Sequence, residues 1–103
     1  MELLYVQVFL SDGAVSVWSS LRGRLDIGGA AWRDVFKSTA VWAQEPQSRA
    51  MIHLVGDDEA VSDDERAALM ESARRAGYGA VRIETGEPLD PEEAFQLLAL
   101  PFT

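Results

Sequence analysis

Arg49-Ala50-Met51-Ile52-His53-Leu54-Val55-Gly56-Asp57-Asp58-Glu59-Ala60-Val61-Ser62-Asp63-Asp64-Glu65-Arg66-Ala67-Ala68-Leu69-Met70-Glu71-Ser72-Ala73-Arg74-Arg75-Ala76-Gly77-Tyr78-Gly79-Ala80-Val81-Arg82-Ile83-Glu84 carries a strand, a capped helix and a second strand in one run. Ala50 to Val55 is apolar, partly β-branched and too short for a helix, and it ends at Gly56-Asp57, which suits a strand buried on both faces. Ser62 ahead of Asp63-Asp64-Glu65 is a capping box: the hydroxyl accepts a first-turn N–H and Glu65 reaches back. The carboxylates also suit the positive end of the helix dipole, and Arg74-Arg75 its negative end. Leu69, Met70, Ala73 and Ala76 share one helical face, with Arg66 at its margin. Gly77 stands where a left-handed terminal residue is wanted, and Ala80 to Glu84 alternates apolar with charged residues. A strand, a helix and a strand at this spacing predict a parallel crossover, with one face of the second strand meeting water.

Toward the N-terminus, Leu3 to Leu10 is rich in strand formers, and Asp12-Gly13 before Ala14 to Leu21 signals a hairpin. The first strand reads as central and the second as an edge, with Trp18 placed to pair with an aromatic across the hairpin. Arg22-Gly23-Arg24 reads as a turn and Leu25-Asp26-Ile27 as one more short strand before Gly28-Gly29. No phosphate-cradling glycine spacing is present there. From Ala30 to Gln44, Trp32, Val35, Phe36, Thr39, Trp42 and Ala43 share a broad helical face that reads as core, while Val41 projects away from it. Pro46 ends that region.

Toward the C-terminus, Gly86-Glu87-Pro88 turns the chain. Asp90 caps a last helix with Pro91 at its first position and Glu93 as the capping-box partner. Phe95, Leu97, Leu98 and Leu100 go nearly all the way round this helix, so a single core cannot cover them all, and Phe102 follows Pro101. That tail is an expected contact for a partner or a second copy of the chain.

Composition narrows the function classes. The net charge is −8, and the second half carries the imbalance: residues 1 to 56 hold five basic and five acidic side chains, residues 57 to 103 four and twelve. Scattered cations and an acidic face speak against direct nucleic-acid binding and suit either solubility or a basic protein partner. There are no cysteines, which excludes disulfides and thiolate metal sites. No apolar run approaches the roughly 20 residues that span a bilayer, so the expectation is one soluble cytoplasmic domain over residues 1 to 103, without membrane insertion.

No constellation calls for catalysis. His53 is the only histidine, lies mid-strand beside Met51 and Val55, and reads as a structural residue satisfied in the core. Asp57-Asp58-Glu59 and Asp63-Asp64-Glu65 lack the spacing of a calcium loop, and no serine stands in a Gly-x-Ser-x-Gly elbow. No catalytic residue, cofactor or metal is assigned.

Val8 to Val17 with its Asp12-Gly13, Ile52 to Asp57, Leu69 to Tyr78 and Val81 to Thr85 together resemble, in this order, the soluble domain of the ExbD/TolR family. The resemblance covers about three quarters of the chain. It implies a two-layer α/β architecture that often pairs as a homodimer and binds proteins, and it implies no catalytic residue. Trp18 to Ile27 has no clear counterpart, and the family's membrane helix is not among these residues, so ion-driven energy transduction is not implied.

The expected fold is thus α/β (α+β): a two-layer sandwich with an N-terminal hairpin, a mixed sheet of four or five strands and helices mainly on one face. The expected function is a small non-catalytic protein-binding or adaptor module, with homodimerisation as one mode. The partner-binding residues are Asp57, Asp58, Glu59, Leu97, Leu100 and Phe102. The alternative is an acidic inhibitor, of the immunity-protein or nucleic-acid-mimic kind, set against a basic partner.

Overall fold

A computed structural model describes residues 2–25, 48–56, 61–76, 78 and 80–100. Strand β1 (Leu3–Phe9) turns into β2 (Ala14–Ser19), then β3 (Gly23–Leu25), and the chain re-enters as β4 (Arg49–Val55). Helix α1 (Asp63–Arg75), strand β5 (Ala80–Thr85) and helix α2 (Pro91–Ala99) complete the described elements. The sheet runs β3-β2-β1-β4-β5. The three N-terminal strands are antiparallel, while β4 is parallel to both β1 and β5. This is the mixed five-stranded α+β sheet with an N-terminal hairpin that the sequence predicts.

The hairpin closes through Asp12 and Gly13. Asp12 Oδ1 accepts the Ala14 N–H at 2.9 Å, and the Gly13 N–H donates to the Phe9 carbonyl at 2.7 Å. Gly13 has φ 76°, a left-handed conformation that glycine takes without steric cost. Tyr5 faces Trp18 in register, and their rings stack at 5.8 Å, the cross-strand aromatic pair expected. One expectation is corrected here. Strand β2 is not an edge, because β3 pairs with it two residues earlier than the predicted Leu25-Asp26-Ile27 strand. The Ser19 hydroxyl draws the chain round by accepting the N–H groups of Leu21 and Arg22, and Gly23 takes φ 75°. Asp26, Ile27, Gly28, Gly29 and the predicted helix from Ala30 to Gln44 lie outside the described residues.

Strands β1 and β4 are apolar on both faces, so both faces need cover. Leu4, Val6 and Val8 pack with Val17, Ala50, Ile52 and Leu54 on one side, under Leu69 and Ala73 of α1. Tyr5 and Met51 pack on the other side under Ala94 and Leu98 of α2, flanked by Leu3, Trp18, Leu89 and Phe95. The layering therefore differs from the expectation of helices mainly on one face: the two described helices take one face each. A strand whose successive side chains point to opposite sides cannot bury both rows against one layer.

Helix α1 begins as the sequence says, with Ser62 Oγ accepting the Glu65 N–H at 3.1 Å. Arg75 Nε reaches Glu71 at 3.2 Å on its outer side, an exposed pair worth about 0.3–0.5 kcal/mol. The predicted role of Gly77 lies outside the described residues. Helix α2 begins at Asp90, whose Oδ1 accepts the Glu92 N–H at 3.1 Å, with Pro91 in the first turn.

Candidate functional site

Helix α2 divides its side chains between two roles. Ala94 and Leu98 are fully buried and Phe95 is half-buried against the same cluster. Glu93, Gln96, Leu97 and Leu100 recur at helical spacing on the other side and line a shallow depression open to solvent. Leu97 is 37% and Leu100 56% exposed. Glu92 and Glu93 are exposed beside them, so the patch is apolar at its centre and acidic at its rim.

This stripe is presented by a helix anchored at both ends. Helix α2 has no basic residue in its last turn, where the dipole favours a cation. Arg49 supplies that charge from the start of β4: its Nη1 donates to the carbonyls of Leu98 and Leu100, both at 2.8 Å. At the other end, the Leu89 N–H donates to the Tyr5 hydroxyl at 3.0 Å, and the Gln7 side-chain amide donates to the Leu89 carbonyl at 2.9 Å. Both backbone groups of Leu89 are thus held by side chains of β1.

The Tyr5 hydroxyl also lies 3.3 Å from Gln7 Nε2 and 3.5 Å from His53 Nδ1. His53 is only 4% exposed, and its Nε2 is buried without a hydrogen-bond partner. The expectation of a satisfied core histidine therefore holds at one ring nitrogen and fails at the other. Burial holds the imidazole below its ordinary value, outweighing the Gly86 backbone and the Glu84 carboxylate, which favour the charged form.

The predicted partner-binding residues separate. Leu97 and Leu100 come together on the α2 stripe, whereas Asp57, Asp58, Glu59 and Phe102 lie outside the described residues. Leu98, which the tail pattern grouped with them, is core. Among the described residues no group of three His, Asp or Glu side chains is placed to hold a metal ion, and no helix is long and apolar enough to cross a membrane. Sequence reasoning missed Arg49, Tyr5 and Gln7. The one available signal was an arginine opening an otherwise apolar strand, with a helix elsewhere that lacks its own C-terminal cation.

No protein-family model, curated protein or solved structure matches the chain.

Proposed function

We propose that the chain is a small, non-catalytic, soluble cytoplasmic protein-binding module whose contact surface is the outer stripe of α2. The observation that carries this reading is the exposure of Leu97 and Leu100 on a helix whose opposite face is fully committed to the core. Two exposed leucines on a helix anchored at both ends form a contact with little conformational entropy left to lose. The acidic rim selects the partner: a protein whose own apolar patch is bordered by lysine or arginine. The resemblance to the ExbD/TolR soluble domain is in keeping with protein binding. A second copy of the chain, with the same acidic rim, fits the patch less well, so homodimerisation is the lesser mode of this reading.

The acidic-inhibitor reading shares the charge argument, since residues 57 to 103 carry the whole net negative charge. Salt separates the two, because the Debye length shrinks from about 10 Å at 0.1 M to about 3 Å at 1 M. The test compares the wild type with Leu97→Asp and Leu100→Ser in affinity capture at both salt concentrations, with thermal unfolding as the control. A partner retained at high salt and lost with both variants at unchanged stability supports the module. Capture that vanishes with salt alone and ignores both substitutions favours the inhibitor. Molar mass over a dilution series shows whether the partner is a second copy.

A further inference from the structure

We propose that Tyr5, Gln7 and His53 form a pH-sensitive latch on the segment entering α2, closed while His53 is neutral and opened when it is protonated. The Tyr5 hydroxyl receives two donors, the Leu89 N–H at 3.0 Å and Gln7 Nε2 at 3.3 Å, which use both of its lone pairs. Its own proton then goes to His53 Nδ1 at 3.5 Å, its remaining partner among the described residues. Neutral His53 consequently carries its proton on Nε2, the atom that is buried without a partner.

Taking a proton from water onto Nδ1 turns that acceptor into a donor. Two donors then face each other, and the Tyr5 hydroxyl must turn and give up a lone pair. Either the Leu89 N–H loses its acceptor, or Gln7, which also holds the Leu89 carbonyl, is released. Both outcomes loosen the same backbone residue. The groups that favour the charged ring, the Gly86 backbone and the Glu84 carboxylate, are outweighed by its burial. Glu84 sits opposite His53 in register but is paired with Arg82 at 2.8 Å, and Arg49 is engaged at the far end of α2. Glu87, Asp90, Glu92 and Glu93, on α2 and its approach, are exposed. This inference stands whether or not the outer stripe binds a partner.

His53 is the only histidine, so its ring signals in an NMR titration are unambiguous. The test follows that titration together with amide exchange at Leu89, expressed as a ratio to the rate of the same amide in an unstructured peptide, which removes the pH dependence of exchange chemistry. The latch predicts that Leu89 protection falls about tenfold for each pH unit as pH drops toward the His53 midpoint, and levels off below it. In His53→Gln the ratio stays flat. In Tyr5→Phe, which keeps the ring stacked on Trp18, Leu89 exchanges fast at every pH while His53 still titrates. A flat ratio in the wild type, or the same fall in His53→Gln, overturns the latch. Should His53→Gln not fold, a persisting pH step in Tyr5→Phe overturns it equally.

Discussion

The two faces of the sheet bury helices of similar grip in different ways. Helix α1 sinks Leu69 and Ala73 into one cluster, and α2 sinks Ala94 and Leu98 into the other. Around α1 the fixings are local: a serine cap three residues from the N–H that donates to it, an Arg75–Glu71 pair one turn apart, and direct chain connections toward β4 and β5. Around α2 they are long-range and polar, from Tyr5 and Gln7 to Leu89 and from Arg49 to Leu98 and Leu100. The difference teaches that an apolar seat of given size can be secured by covalent neighbours or by directed hydrogen bonds. Only the second kind can be released one bond at a time.

The largest expected effect lies on the α1 face. Ile52→Ala removes a fully buried side chain from an interior strand and should cost about 2–5 kcal/mol, lowering the stability of α1, α2 and the sheet together in chemical denaturation. If α2 alone were lost, the claim that this face carries the common core would fail. Arg49→Met comes next. It strips two carbonyls at the end of α2 of a charged donor and should cost about 1–3 kcal/mol, with helical signal lost in proportion to α2 and not to α1. An equal loss from both helices would break the contrast between local and long-range fixing.

A pH effect follows in size. The pKa of His53 in the fold lies below the 6.5 it has when exposed, so between the two values the unfolded chain binds more protons. Stability is therefore fully present above about pH 6.5 and falls as pH drops below it, by at most about 1.4 kcal/mol per pH unit until the folded pKa is reached. Urea midpoints at pH 7.5 and 5.5 for the wild type and His53→Gln measure this, and the variant should lack that share of the fall. Smallest of all is Leu97→Asp, expected to shift stability by no more than about 0.5 kcal/mol because the side chain packs on the outside, while partner capture is lost. A large destabilisation would return Leu97 to the core and remove the proposed contact.

The same contrast explains what could be read from the sequence. Strand β4, the Ser62 cap, the Asp12-Gly13 turn and the Tyr5–Trp18 pair are written in residues adjacent in sequence or across one hairpin. The α2 anchors join residues 49 and 84 positions apart, and no local pattern announces them. Placing α2 on its own face needed knowledge that β1 and β4 pair side by side, since only then do Tyr5 and Met51 form one surface to be covered. The pairing of β3 onto β2 was hidden for a similar reason: it depends on the Ser19 hydroxyl accepting from the turn that follows. The apolar tail was legible as an excess of leucine, but the division between buried Leu98 and exposed Leu97 and Leu100 was set by the helix register against the sheet.

The account rests on α2 being a separately releasable element held by polar anchors. Native-state hydrogen exchange over a series of low denaturant concentrations tests this most directly, by comparing amides of Leu97 and Leu98 with those of Leu69 and Ala73. The account predicts that the α2 amides open at lower free energy and with little dependence on denaturant, while the α1 amides exchange through global unfolding. Opening of both helices at one free energy with one denaturant slope would contradict it.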